Sequence, residues 1–112
     1  MKDFCIIGSG ISGATIANTL SKKYSLDLYD KARGVGGRSS NKKLKKNESF
    51  DHGAQYISPK SIEFKRFIKN LIDKKIVKSW SGKHVFLNAD KKEDKKHIKI
   101  IGKNGNNAIS KY

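Results

Sequence analysis

Apolar residues come in short bursts along this chain. Residues 3–7 (Asp-Phe-Cys-Ile-Ile) are a nearly continuous apolar run of β-formers, the pattern of a strand buried on both faces. A glycine-rich turn, Gly8 to Gly13, closes it. From Ile11 to Lys22, apolar or small residues recur at Ile11, Ala14, Ala17 and Leu20, with Ile16 beside them, which is helical spacing. Ser25 to Tyr29 predicts a second strand, ending at Asp30. Strand, glycine turn, helix and strand in that order predict a βαβ unit, because two parallel strands need such a crossover.

Lys31 to Ser49 is rich in Gly and Lys and is expected to be a loop with an irregular strand through its basic part. Ser58-Pro59 stops any strand and prepares a helix. Ser61, Phe64, Phe67, Ile68, Leu71 and Ile72 then give a helix of about three turns. After Lys75 the pattern predicts three short strands, Ile76 to Trp80, His84 to Leu87 and His97 to Ile101. Ser81-Gly82 and the charged tract Asn88 to Lys96 suit the turns between them. Gly105 to Tyr112 reads as the first turns of a further helix entered through Gly-Asn-Asn. The fold class is α/β: a Rossmann-like βαβ unit within residues 1–58, then over 59–112 a helix and short strands.

A length of 112 residues suits one domain and no more. The chain is polar, with a hydrophobic fraction of 36% and a mean hydropathy of -0.67, yet its recurring apolar runs exclude disorder throughout. The formal net charge of +15 raises nucleic acid, an anionic membrane surface or an acidic ligand as partners. Of the 25 basic residues only Arg33, Arg38 and Arg66 are arginine. Base readout and single-strand binding both lean on arginine, so paired lysines such as Lys22-Lys23 and Lys45-Lys46 read as solvated surface and nucleic acid is not the expected partner. The lone cysteine, Cys5, sits in the first strand pattern, where it reads as a small hydrophobe. It excludes an internal disulfide and a Cys-rich metal site, and a reducing cytoplasm is the expected compartment. The apolar run Phe4 to Ile7 is too short for a signal peptide, and no stretch approaches the ~18 residues needed to cross a bilayer. No membrane partner is expected.

The strongest motif is Gly8-Ser9-Gly10-Ile11-Ser12-Gly13. A G-x-G-x-x-G string alone is weak evidence, but this one follows a strand, opens a helix and has an acid, Asp30, 20 residues after Gly10. Gly8 permits the tight turn, Gly10 lets the backbone approach a pyrophosphate, and Gly13 lets the helix pack closely. The helix N-terminus offers unpaired N–H groups to the phosphates, and Asp30 can accept from the ribose hydroxyls of an adenosine. NAD and FAD share that half, so the fingerprint does not separate them.

The continuation does. Asp30-Lys31-Ala32-Arg33-Gly34-Val35-Gly36-Gly37-Arg38 resembles the amine-oxidase-like flavoprotein superfamily, whose members run from the acidic residue into a G-G-R element. The paired glycine lets the backbone pass close to the cofactor, and Arg38 can neutralise a phosphate. Together with Phe50-Asp51-His52-Gly53-Ala54-Gln55-Tyr56-Ile57, this is similar to renalase-like flavoproteins. Gly102-Lys103-Asn104-Gly105-Asn106-Asn107-Ala108-Ile109 resembles an element that opens another helix in the same family.

The resemblance implies FAD as cofactor, with contacts from Gly8, Ser9, Gly10, Ser12, Gly13, Asp30, Lys31, Arg33, Gly37, Arg38, Gly53, Ala54, Gln55 and Tyr56. Gln55 and Tyr56 would lie against the flavin. His52 reads as a hydrogen-bonding structural residue, and Tyr56 has a plain core reading beside the flavin one. No catalytic acid, base or metal ligand is nominated. The implied activity is oxidation of isomers of reduced nicotinamide dinucleotides with dioxygen, giving hydrogen peroxide. The likeness covers the whole chain but only the first third or so of such an enzyme, so residues 59–112 would only begin a substrate domain. The chain is expected to be inactive alone, unless a complementing polypeptide supplies the rest. An amine oxidase or desaturase-type flavoprotein is the alternative within the superfamily. A non-enzymatic basic nucleotide- or nucleic-acid-binding protein is the alternative outside it.

Overall fold

The computed structural model describes residues 1–46, 48–85 and 98–112. The predicted βαβ unit is present. β1 (Phe4–Ile7) and β2 (Leu26–Tyr29) pair in parallel, with Phe4 opposite Leu26 and Ile7 opposite Tyr29. The connecting helix α1 (Ile11–Leu20) stops two residues before the predicted Lys22, where the Lys23 and Tyr24 amides both turn back to the Leu20 carbonyl. The Lys31–Ser49 region holds a 3-10 turn at Gly37–Ser39 and then β3 (Asn41–Lys43), which pairs antiparallel with β4 (Ser49–Asp51).

Helix α2 (Ile62–Asp73) begins where the sequence signals it. The Ser61 hydroxyl accepts from the Phe64 amide at 3.2 Å, satisfying one of the orphan donors of the first turn. The helix ends as Lys75 adopts a left-handed conformation (φ 58°) and the Ile76 amide reaches the Leu71 carbonyl at 2.9 Å, a closure that uses otherwise unpaired carbonyls. β5 (Val77–Ser79) then pairs antiparallel with β6 (Ile100–Gly102), and Ile57 exchanges two backbone bonds with Ile100. A short helix α3 (Ala108–Lys111) follows. Of the three strands predicted after Lys75, the first is found in shortened form, and the third begins at Ile100 and runs one residue past its predicted end. Of the second, 84–87, residues 86 and 87 lie outside the described residues, as do residue 97 and the charged tract 88–96.

The core lies away from the first strand. Ile68 and Leu71 of α2 pack with Val77, Ile100 and Ile109, and Ile57 and Ile76 close the edges. The expectation that β1 is buried on both faces is overturned, since Phe4 and Ile7 are exposed and so is Cys5. Burial on both faces needs a layer on each side and strand neighbours. Among the described residues β1 has only β2 beside it, so its apolar side chains stay open to solvent. The stripe on α1 behaves alike, with Ile11 and Ile16 about half exposed. Among the described residues, no helix is long and apolar enough to cross a membrane.

Candidate functional site

The glycine turn forms a strand-to-helix junction. The Gly8 amide bonds to the Tyr29 carbonyl at 2.7 Å, which holds the turn over the end of β2. Gly10 caps α1 with an extended backbone and no side-chain acceptor, so the first-turn N–H groups lack the cap that Ser61 supplies to α2. Such open donors, aligned with the helix dipole, favour an anion. The helix start is pressed against the turn: a Cβ on Gly13 would sit 1.8 Å from the Gly8 carbonyl oxygen. Only glycine fits there.

Asp30 reaches the same junction from the end of β2. One of its carboxylate oxygens accepts from both the Ser9 amide and the Ser9 hydroxyl at 2.6 Å, and the other accepts from the Ala32 amide at 2.8 Å. The Ser9 hydroxyl first, then the Ala32 and Ser9 amides, hold the carboxyl below its ordinary 3.8, at about 2. Hydrogen bonds to the charged form act in this direction. A carboxylate has about four lone-pair sites, and three are engaged here, so one remains for an incoming hydroxyl.

A second glycine loop completes the site. Gly36 has φ 122° and donates its amide to the Ser9 carbonyl at 3.0 Å, forming a bridge between Gly10 and Gly36. The two loops enclose a cavity of about 410 Å³. Gly8, Gly10, Ser12, Gly13, Gly37 and Arg38 all line it, together with Gly36, Ser39, Ile7 and Ile11. Ser9 is buried beneath, tied to Asp30. Lys31 and Arg33 are exposed on the bend after β2, and neither lines the cavity.

The 51–56 segment lies beside this cavity without lining it. The Ala54 amide bonds to the Arg38 carbonyl at 2.8 Å, and Gly53 passes so close that a Cβ would sit 2.1 Å from the same oxygen. Gln55 and Tyr56 are exposed beyond it. His52 Nε2 lies 3.2 Å from the Ser40 hydroxyl, a link between neighbouring loops.

Sequence reasoning named three residues that shape the site only as parts of longer motifs, without the individual contacts they make. Gly36 carries the bridge to Gly10, although Gly37 was the glycine nominated from that run. Asn106 is fully buried; its side chain donates to the Ala54 carbonyl at 2.7 Å and accepts from the Gly102 amide at 2.8 Å. Its own amide donates to Asp51, which also accepts from Asn41. Asn107 abuts the loop at Gly36, where an added Cβ would come within 2.8 Å of its own. For the two asparagines the only available signal was the polar Gly-Asn-Asn run, and for Gly36 the glycine pair it forms with Gly37. Among the described residues no group of His, Cys, Asp and Glu could hold a metal ion.

Comparisons with known proteins agree with this geometry. Residues 6–71 match the family model described as the NAD(P)-binding Rossmann-like domain. Prenylcysteine oxidase 1 of Bos taurus is 34% identical over 70 residues, covering 59% of this chain and 13% of that protein. A double mutant of putrescine oxidase, from a structure-based redesign of cofactor binding, superposes with a TM-score of 0.56 at 25% identity, covering 82% of this chain and 20% of that one. Putrescine oxidase bound to putrescine gives 0.55 at 24% identity over the same shares. The chain therefore spans only a small part of the length of these relatives. With the matched region running from β1 into α2 and the glycine turn at the junction the fold requires, the chain belongs to the NAD(P)-binding Rossmann-like domain family.

Proposed function

We propose that this chain is the dinucleotide-binding portion of a renalase-like FAD-dependent oxidoreductase. The observation that carries the reading is the single cavity shared by the Gly8–Gly13 turn and the Gly36–Arg38 loop. Its residues suit a diphosphate: uncapped helix N–H groups, glycine backbone with no side chain in the way, and one guanidinium. Asp30, with one acceptor site in reserve, is placed to take a ribose hydroxyl. Ser9 orients Asp30, and Asn106 holds the 51–54 segment against Arg38.

When bound, FAD supplies the two-electron redox chemistry, which in this reading oxidises isomers of reduced nicotinamide dinucleotides with dioxygen to give hydrogen peroxide. The protein binds, orients and excludes water. Residues 1–58 hold the cofactor in this scheme, and 59–112 begin the wall of a substrate site. Lys31, Arg33, Gln55 and Tyr56 belong to cofactor regions outside the glycine cavity. Alone, the chain is proposed to hold FAD weakly and to turn nothing over. The exposed apolar faces of β1 and the 20% share of the putrescine oxidase chain support this. A complementing polypeptide in a reducing cytoplasm completes the proposal, the latter supported by the single free cysteine. The likeness to putrescine oxidase favours a second reading, an amine-oxidase-type flavoprotein with the same cofactor site.

Calorimetric titration with FAD, ADP and FMN tests the cofactor assignment. FAD and ADP should bind saturably with similar affinity, because the cavity and Asp30 address the part they share, while FMN should not. Binding of FMN alone, or of none of the three, overturns the reading.

A further inference from the structure

Tyr56, Trp80 and His84 form an aromatic face outside the lining of the glycine cavity. The Trp80 ring centroid lies 6.0 Å from that of Tyr56, tilted by 45°, and 4.8 Å from that of His84 in an edge-on arrangement. His84 Nε2 sits 3.1 Å from the Trp80 carbonyl oxygen, and the Trp80 amide bonds to the Lys99 carbonyl at 2.8 Å. Both contacts fix the Trp80 backbone just beyond the end of β5. The Lys99 ammonium lies 5.1 Å from the centre of the Tyr56 ring. Neither large ring belongs to the core, and Tyr56 and Trp80 remain 41% and 39% exposed.

The position of this face gives it meaning. Ala54 is bonded to Arg38, which lines the glycine cavity, and Tyr56 follows two residues later. Two residues of chain span at most about 7 Å, so the aromatic face begins near the Arg38 end of that cavity. Aromatic side chains stack on planar heterocycles, and neighbouring lysines suit the phosphate such a heterocycle carries. Lys99 stands over the Tyr56 ring, and Lys83, next to His84 in sequence, is exposed. We propose that Trp80, flanked by His84 and Tyr56, stacks against the planar heteroaromatic ring of a nucleotide substrate. The inference rests on the dinucleotide reading of the adjoining cavity, since that reading makes this wall the substrate side.

Trp80 is the only tryptophan, so incorporation of 5-fluorotryptophan gives one fluorine resonance. The probe is nicotinamide mononucleotide, which has a ring and a phosphate but lacks the adenosine addressed by the glycine cavity. Ribose 5-phosphate and oligothymidylate are the controls, and FAD binding is measured separately by calorimetry. The resonance should shift saturably with nicotinamide mononucleotide and stay still with ribose 5-phosphate. His84→Ala, or His84→Gln where the first does not fold, should weaken that response about threefold or more and leave FAD affinity unchanged. No shift, or an equal shift with ribose 5-phosphate, overturns the inference. A tighter response to oligothymidylate overturns it in favour of single-stranded nucleic acid. A shift with nicotinamide mononucleotide in a protein that binds no FAD keeps the stacking face and removes the cofactor reading, so the two fail separately.

Discussion

Asp30 and Ser9 are joined twice, the same carboxylate oxygen taking the Ser9 amide and the Ser9 hydroxyl at 2.6 Å across 21 residues of chain. This double bond contact fastens the end of β2 to the glycine turn after β1. It also sets the direction of the carboxylate, which any adenosine ribose at this site would meet. Local geometry and the acid 20 residues beyond Gly10 therefore serve one purpose.

The ionisation of Asp30 should report that contact. Folding lowers its carboxyl from 3.8 to about 2, so folding favours the charged form. Its contribution is complete above the unfolded value and is lost as the pH falls toward the folded one. The Ser9 and Ala32 amide resonances should hold steady from pH 7 to about 4 and move below that, with a midpoint at about 2. Asp30→Asn should abolish the step, and ADP affinity should show no Asp30-linked change between about pH 5 and 8. A midpoint at the ordinary carboxylate value contradicts the contact.

Two glycine substitutions should separate folding from binding. Gly13→Ala places a methyl 1.8 Å from the Gly8 carbonyl, an overpacking that should cost about 3 kcal/mol in urea unfolding. Gly10→Ala meets nothing nearer than Gly37 Cα at 4.0 Å, so its stability should change little. Its methyl enters the cavity, however, and should weaken ADP by about tenfold, ~1.4 kcal/mol.

Arg38 should matter for charge and little for folding. Its side chain is exposed, and the contact that holds Ala54 is made by its carbonyl, which any residue supplies. Arg38→Ala should unfold at nearly the same urea concentration yet lose about tenfold in ADP affinity. Arg38→Lys should recover only part, since lysine lacks the planar donor fork. Equal affinities in all three proteins would remove Arg38 from the site.

Asn106 should behave oppositely. Asn106→Ala strands the buried Gly102 amide and removes the donor to the Ala54 carbonyl, and should destabilise the chain by about 1–3 kcal/mol. Asn106→Asp keeps an acceptor for Gly102 but turns the donor to Ala54 into a second acceptor. It should be at least as disruptive in the same unfolding assay.

The glycine turn, Asp30 and the start of α2 were legible in the sequence because each depends on neighbours a few residues away or on one fixed spacing. Ser61 caps Phe64 within one turn, and Gly8, Gly10 and Gly13 act inside a single junction. Burial was less legible, because it depends on what covers a strand. The run from Phe4 to Ile7 has the pattern of a buried strand, yet it lies open with β2 as its only described strand partner. In α2 the periodicity marked the right face, but only Ile68 and Leu71 are buried, while Phe64 and Phe67 stack at its margin. Asn106 could be read only as part of the Gly102–Ile109 element, not for the bonds it makes. Its bonds to Asp51 and Ala54 cross 55 and 52 residues, and no local pattern encodes them.

Nuclear magnetic resonance titration of the labelled chain with ADP probes the proposed diphosphate and ribose site most directly. The amides of residues 8–13 and 36–38 should move together and saturate, and Asp30→Ala should weaken the response by about tenfold. Shifts confined to surface lysines, or a response indifferent to Asp30, would contradict it.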